Sequence, residues 1–204
     1  MGDNATIITV TLNPVVDLTT SVDHRDVGAV NRYRAPQLDP AGKGINVSRM
    51  AHRLGWPTIA FGFLAGEIGS IIPRALEAEA VPHHFVPVPG QTRLDVTIVD
   101  QSSRASTSLD GPGPVVDADH RRQLDHLLQF WLPAGRVLVL AGSLPPGIPD
   151  DVYARYIRRA NATGITTILD TDGAPLRLGV AAPPSCIKPN LAETQRLLAT
   201  RWRT

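Results

Sequence analysis

From Thr6 onward, short β-branched or apolar runs alternate with stretches of helical spacing, and this alternation constrains the fold more than any other feature. Thr6 to Leu12 (TIITVTL) reads as a buried strand closed by Asn13-Pro14. The spacing then predicts a helix over Gly44 to Leu54, stopped by Gly55-Trp56-Pro57, and a strand over Thr58 to Phe63. A second helix is expected over Ile68 to Ala80, followed by a short edge segment at Pro82 to Val88. Strands at Arg136 to Leu140, Ile165 to Leu169 and Ser185 to Lys188 interleave with helices at Asp117 to Phe130, Asp150 to Asn161 and from Leu191. Apolar strands separated by helices imply an α/β fold, a mostly parallel sheet covered on both faces.

Two stretches break the pattern. Residues 15–38 and 94–109 alternate apolar with polar side chains and cannot bury two faces, so they are expected to form a small separate sheet over one edge of the core, a lid. No repeat or low-complexity linker divides residues 1–204.

Composition matters for what it excludes. Twenty basic against 19 acidic residues give a net charge of +1, which argues against a nucleic-acid or acidic-membrane partner, since either would need a basic stripe. No apolar run reaches the length of a membrane span, and Met1-Gly2-Asp3-Asn4 lacks the basic start of a signal peptide. The lone Cys186 excludes an internal disulfide and a cysteine metal cluster. A cytoplasmic protein is the expectation. Only two of the basic residues are lysines, Lys43 and Lys188. In a chain that otherwise uses arginine, a retained lysine suggests a site that wants a compact point charge.

Both lysines fall in motifs. Pro40-Ala41-Gly42-Lys43-Gly44-Ile45-Asn46 is a glycine-rich loop opening a helix, where free N–H groups favour an anion or a hydroxyl-rich ligand. It is not a Walker A loop, because Gly44 stands where Ser or Thr is required. A helix cap with no ligand explains the same glycines. Asp17, just beyond the first strand, sits where open α/β sheets bind ligands and could accept hydrogen bonds from a polyol; an Asx-turn is the simpler fate. Ser143, in Ala141-Gly142-Ser143-Leu144-Pro145-Pro146-Gly147, can offer a hydroxyl at the corresponding end of another strand, or belong to a rigid connection. Arg93 begins the second lid segment and could clamp a phosphate, or be a solvated edge charge. Asn190 and Glu193 could hold a hydrated Mg²⁺, and they equally make a capping box. The six histidines have no acidic or cysteine companions at ligand spacing, and Asp170-Thr171-Asp172-Gly173 reads as a metal-binding turn or a strand-end loop.

Seven segments in order, TVTLNPVVD (9–17), AGKGINVSRM (41–50), TRLDVTI (92–98), DGPGP (110–114), AGSLPPGIP (141–149), LDTDG (169–173) and IKPNLAE (187–193), resemble the PfkB carbohydrate kinases, on their 1-phosphofructokinase and tagatose-6-phosphate kinase side. The resemblance implies a ribokinase-like three-layer sandwich with a β lid, and transfer of the ATP γ-phosphoryl to a phosphorylated ketohexose. The sequence leaves open whether a homodimer forms through the lid. It assigns Asp17, Gly42, Lys43 and Asn46 to the sugar, Arg93 to the substrate phosphate with Ser143 beside it, Lys188 to the nucleotide phosphates, and Asn190 and Glu193 to Mg²⁺ through water. Two positions depart from the pattern: Ala41 replaces a glycine, which requires a negative φ there, and Thr97 replaces a frequent lysine. The family's Gly-Ala-Gly-Asp loop, which carries the catalytic base, is absent before the chain stops at Arg201-Trp202-Arg203-Thr204. The expectation is a C-terminally truncated, inactive kinase domain. A non-catalytic sugar-phosphate binder, or a kinase for another sugar or a nucleoside, is the alternative.

Overall fold

The computed structural model describes residues 6–34 and 36–199; the two terminal segments read above, Met1 to Asn4 and Arg201 to Thr204, lie outside them. Six strands form the main sheet: β1 (Thr6–Thr11), β4 (Thr58–Leu64), β5 (His83–Pro87), β8 (Gly135–Ala141), β9 (Thr166–Asp170) and β10 (Cys186–Ile187). Their order is β10-β9-β8-β1-β4-β5, and every pair is parallel. The central strands are apolar because both faces are covered; every residue of β4 is buried.

Alternation along β1 assigns the faces. Ile8, Val10 and Leu12 point into the larger core with Leu124 and Leu128 of α4 (Ala118–Trp131) and Tyr153 and Ile157 of α5 (Val152–Asn161). Thr9 and Thr11 point the other way, towards α1 (Lys43–Arg53), where Thr9 Oγ1 meets Ser48 Oγ at 2.8 Å. Ile45 of α1 joins Ile72 and Leu76 of α3 (Ile71–Ala78) in a second core. Each such fully buried aliphatic side chain contributes about 1.5–3 kcal/mol.

Four further strands make the lid: β2 (Val15–Val22), β3 (Gln37–Ala41), β6 (Arg93–Asp100) and β7 (Ser106–Leu109), in the order β3-β2-β6-β7. Its central pair, β2 and β6, is parallel, and both outer pairs are antiparallel. The register sorts the side chains by face. Asp39, Asp17 and Asp95 form one row, and Leu38, Leu18, Val96 and Leu109 form the next, on the opposite face. Val16 and Leu94, on the apolar face, dock onto the second core and fix the lid to the body.

Two helices differ from the spacing. The helix expected over 68–80 is two, α2 (Gly66–Gly69) and α3, meeting at Ser70. Pro73, which has no N–H, sits in the first turn of α3 and cannot continue the α2 ladder. Residues 173–180, for which the spacing predicts no element, form α6 (Gly173–Val180), with Asp172 at its N-cap. The last helix is α7 (Leu191–Leu197). No helix among the described residues is long and apolar enough to cross a membrane.

Candidate active site

The chain leaves β1 to one side, building β4 and β5, and later returns to the other side, building β8, β9 and β10. β1 and β8 therefore flank the topological switch point, the position at which open α/β sheets hold ligands beyond their strand ends. Asn13 follows β1, Ser143 follows β8, Asp170 ends β9 and Lys188 follows β10. The glycine loop and α1 return to the same end: the N–H of Ile45 donates to Thr11 Oγ1 at 3.1 Å. Ala41, Val15 and Arg93 lie side by side on β3, β2 and β6, which brings the lid to this crevice as well.

Gly42 caps α1 with φ +139°, a conformation open to glycine and strained for other residues. Ala41 ends β3 and lies outside the left-handed region, so its methyl is accommodated. The N–H of Asn46 donates to Gly42 O at 2.9 Å, closing the first turn, and its side chain is exposed.

Arg93 and Ser143 share a hollow of about 540 Å³ with Asn13, Asp110, Gly111 and Asp150. Arg93 is pre-aimed: it donates to Asp95 Oδ2 at 2.6 Å and to the carbonyl of Asn13 at 3.3 Å. Asp95 also accepts the N–H of Gly111 at 2.9 Å, which ties the 110–114 turn to the arginine. Asn13 is 4% exposed and donates through Nδ2 to Pro112 O and to Ser143 Oγ, at 3.1 and 3.2 Å. Its Oδ1 is buried without a partner, a polar atom left over in the wall of the hollow.

Asp17 stands on the polar face of the lid, between Asp39 and Asp95. Burial, followed by the charge of Asp95, holds its carboxyl above the ordinary range, against the pull of Arg93. Asp17, Gly42, Lys43 and Asn46 do not line the Arg93 hollow itself. Lys43 instead reaches across the crevice to Asp170 Oδ1 at 2.7 Å, and Lys188 meets Asp170 Oδ2 at 3.2 Å. The two motifs that carry the lysines are thus joined through one carboxylate.

At α7 the capping box forms: Asn190 Oδ1 accepts the N–H of Glu193, and Glu193 Oε2 accepts the N–H of Asn190, both at 2.8 Å. Among the described residues, no group of three or more His, Cys, Asp or Glu side chains is placed to hold a metal ion. The His83 ring packs at a tilt against Phe85, and the His84 ring at a tilt against both Phe61 and Trp131.

Three residues of the crevice escaped the sequence reading: Asn13, read as a strand terminator, Asp95 and Asp170. Asn13 and Asp95 fall in the segments 9–17 and 92–98 without a role of their own, and Asp170 in 169–173 only as a metal turn; its partner Lys43 stands 127 residues away in the chain.

The family model for pfkB family carbohydrate kinases matches residues 10–201. The chain belongs to that family. A crystal structure described as a possible 1-phosphofructokinase from Thermotoga maritima is 29% identical over 93% of this chain and 62% of its own, with a TM-score of 0.85. Phosphofructokinase-2 from Escherichia coli in a tetrameric inhibited form is 30% identical over 98% of this chain and 66% of its own, with a TM-score of 0.87. The same enzyme in complex with fructose-6-phosphate gives 28%, 98% and 66%, with a TM-score of 0.88. The chain therefore spans less than two thirds of the length of these relatives. The parallel sheet with its lid is the ribokinase-like fold that the seven motifs implied.

Proposed function

We infer that the chain binds a phosphorylated ketohexose and belongs to a kinase that transfers the γ-phosphoryl of ATP to one of its hydroxyls. The observation that carries this reading is the hollow at the switch point, where a pre-aimed arginine, a serine hydroxyl and a buried unpartnered amide oxygen line one wall. The phosphate of the sugar would dock on Arg93 and Ser143, whose donors suit a dianion. Asp17 and Asn46 would receive the hydroxyls, with Gly42 giving the backbone room to approach. Lys43 and Lys188, across the crevice, would face the phosphoryl groups being exchanged.

The α7 capping box suits a metal role. It commits one oxygen of Glu193 to the helix and fixes its rotamer, and a carboxylate has a second oxygen for a Mg²⁺-bound water. Mg²⁺ with ATP would supply the phosphoryl donor and shield its charge. This chain's own part is orientation: phosphoryl transfer depends mainly on positioning and charge stabilisation. ATP as donor puts the reaction in the cytoplasm. The 204 residues contain no Gly-Ala-Gly-Asp sequence, the loop to which the family resemblance assigns the base for the acceptor hydroxyl. Binding without turnover is therefore expected of this 204-residue polypeptide.

The apolar row of the lid supports self-association. Leu38 and Leu109, at its two ends, are 49% and 60% exposed, and a second lid would cover the row.

The test is a thermal-shift series with fructose 1-phosphate, fructose 6-phosphate and tagatose 6-phosphate, beside a coupled ATPase assay with Mg²⁺. Stabilisation by at least one sugar phosphate, lost in Arg93→Ala, is expected. Failure of every sugar phosphate to stabilise would remove the substrate class, and turnover at rates usual for such kinases would remove the proposed inactivity.

A further inference from the structure

The two lysines of this chain come from distant motifs and end on the two oxygens of one side chain. Lys43 is the first residue of α1, where a cation opposes the helix dipole, and no acidic residue occupies that first turn. The missing negative charge comes from across the crevice, from Asp170, 127 residues further along the chain. Asp170 is 8% exposed at the end of β9, and a carboxylate so placed needs charged or hydrogen-bonding partners. Lys43 takes one oxygen and Lys188 the other, with 47% and 70% of their side chains exposed. One anion between two cations leaves a surplus positive charge facing solvent. The backbone of Asp170 is tied in as well, its carbonyl accepting the N–H of Gly142, next to Ser143, at 2.9 Å.

We propose that Asp170 is a positioning residue that couples the two halves of the crevice, holding Lys43 and Lys188 through one carboxylate so that a change at either lysine is felt at the other. An anion that draws Lys188 away leaves Asp170 to Lys43 alone and tightens that pair; the converse holds for an anion at Lys43. The ligands meant are the sugar phosphate and the nucleotide, and to that extent the proposal rests on the functional reading above. The coupling itself needs no ligand.

Because the chain has only two lysines, protein labelled with ¹³C at the lysine ε-carbon gives two side-chain signals. Asp170→Asn is expected to move both towards the position of free lysine, and Asp170→Glu, which keeps the charge, to hold them displaced. Lys188→Gln replaces an exposed side chain and leaves buried Asp170 intact. It is expected to shift the remaining Lys43 signal, and that shift should vanish when Asp170→Asn is added. A Lys43 signal indifferent to Lys188→Gln, or one shifted equally with and without Asp170, overturns the proposal. Titration with fructose 1-phosphate or inorganic phosphate then separates the two readings. In the unaltered protein both signals should move with one midpoint, and in Asp170→Asn only one should move. If neither ligand moves either signal in the unaltered protein, the sugar-phosphate reading fails, while the ligand-free cycle still decides the role of Asp170.

Discussion

Asp17 and Asp95 stand opposite one another across the parallel centre of the lid, in register as Cα partners. Asp39 extends the row on the far side of Asp17. This is the arrangement that, after burial, does most to raise the Asp17 carboxyl above its ordinary value of 3.8. A carboxyl that holds its proton more tightly folded than unfolded stabilises the fold most below its unfolded value. That contribution is lost as pH rises through the raised folded value. Asp17→Asn should remove this loss: its melting temperature should gain on the unaltered protein as pH rises from the ordinary carboxyl value of 3.8 through the raised folded one, then stay level. Sugar-phosphate stabilisation should weaken in the same variant. A difference in melting temperature that does not change with pH would contradict the first expectation.

Arg49 of α1 forms a forked ion pair with Glu79 at the end of α3, and its NH1 also reaches the carbonyl of Pro40 in β3. The hydrogen bond from Arg49 holds the Glu79 carboxyl below its ordinary value of 4.5. The sign is opposite to that of Asp17: the stabilisation is present above the unfolded value and disappears as pH falls through the depressed folded one. Both side chains are about a quarter exposed, so solvent screens the pair. Glu79→Gln should cost about 0.5–1 kcal/mol at neutral pH, and less in acid, by urea denaturation.

A methyl group on Gly44 would lie 2.5 Å from Thr11 Oγ1 and 3.3 Å from the carbonyl of Val10. Those atoms belong to the end of β1, which cannot retreat without disturbing β4 and β8. Gly44→Ala should therefore destabilise by about 1–3 kcal/mol, the ordinary cost of overpacking. It should also lift the loop bearing Lys43 away from the sheet. Calorimetry reads the first effect, and loss of sugar-phosphate stabilisation reads the second.

Val96 lies in the middle of the apolar row, between Leu18 and Leu109. Val96→Asp should shift the protein towards the monomer in sedimentation velocity, with its far-ultraviolet circular dichroism unchanged. A monomeric unaltered protein at high concentration would end the case for lid pairing.

The central strands were legible in sequence because β1, β4 and β8 are buried on both faces and carry uninterrupted apolar or β-branched runs. The lid was legible for the contrary reason: one wet face imposes alternation. Helix α6 was not, because Gly173-Ala174-Pro175-Leu176 offers no helical stripe, and its start depends on Asp172 and on the strand before it. Lys43, Arg93 and Ser143 could be singled out, since local motifs mark them. Asp170 could not be given its place: what matters about it is the meeting of three strand ends, a property of sheet order and not of neighbouring letters. Asn13 and Asp95 were hidden likewise. Their roles are to aim Arg93 and to wall its hollow, and although both lie in the segments that carry the family resemblance, nothing in the neighbouring letters marks either for that task.

The lid is sewn from two distant stretches of chain. Asn13, in the link between β1 and β2, accepts a hydrogen bond at its carbonyl from Arg93, 80 residues later. During synthesis β2 and β3 emerge well before β6, their neighbour across the centre of the sheet. Contacts so far apart in sequence form slowly, after nearby ones have closed. Leu18 and Val16 must therefore wait without Val96 and Leu94 while α1, β4, α3 and β5 take shape. The nascent chain passes through a stage with half a lid and an open strand edge, the kind of surface that strays into other chains. Substitutions at the β2–β6 seam should consequently lower the yield of folded protein on expression before they alter how the finished molecule holds its ligand.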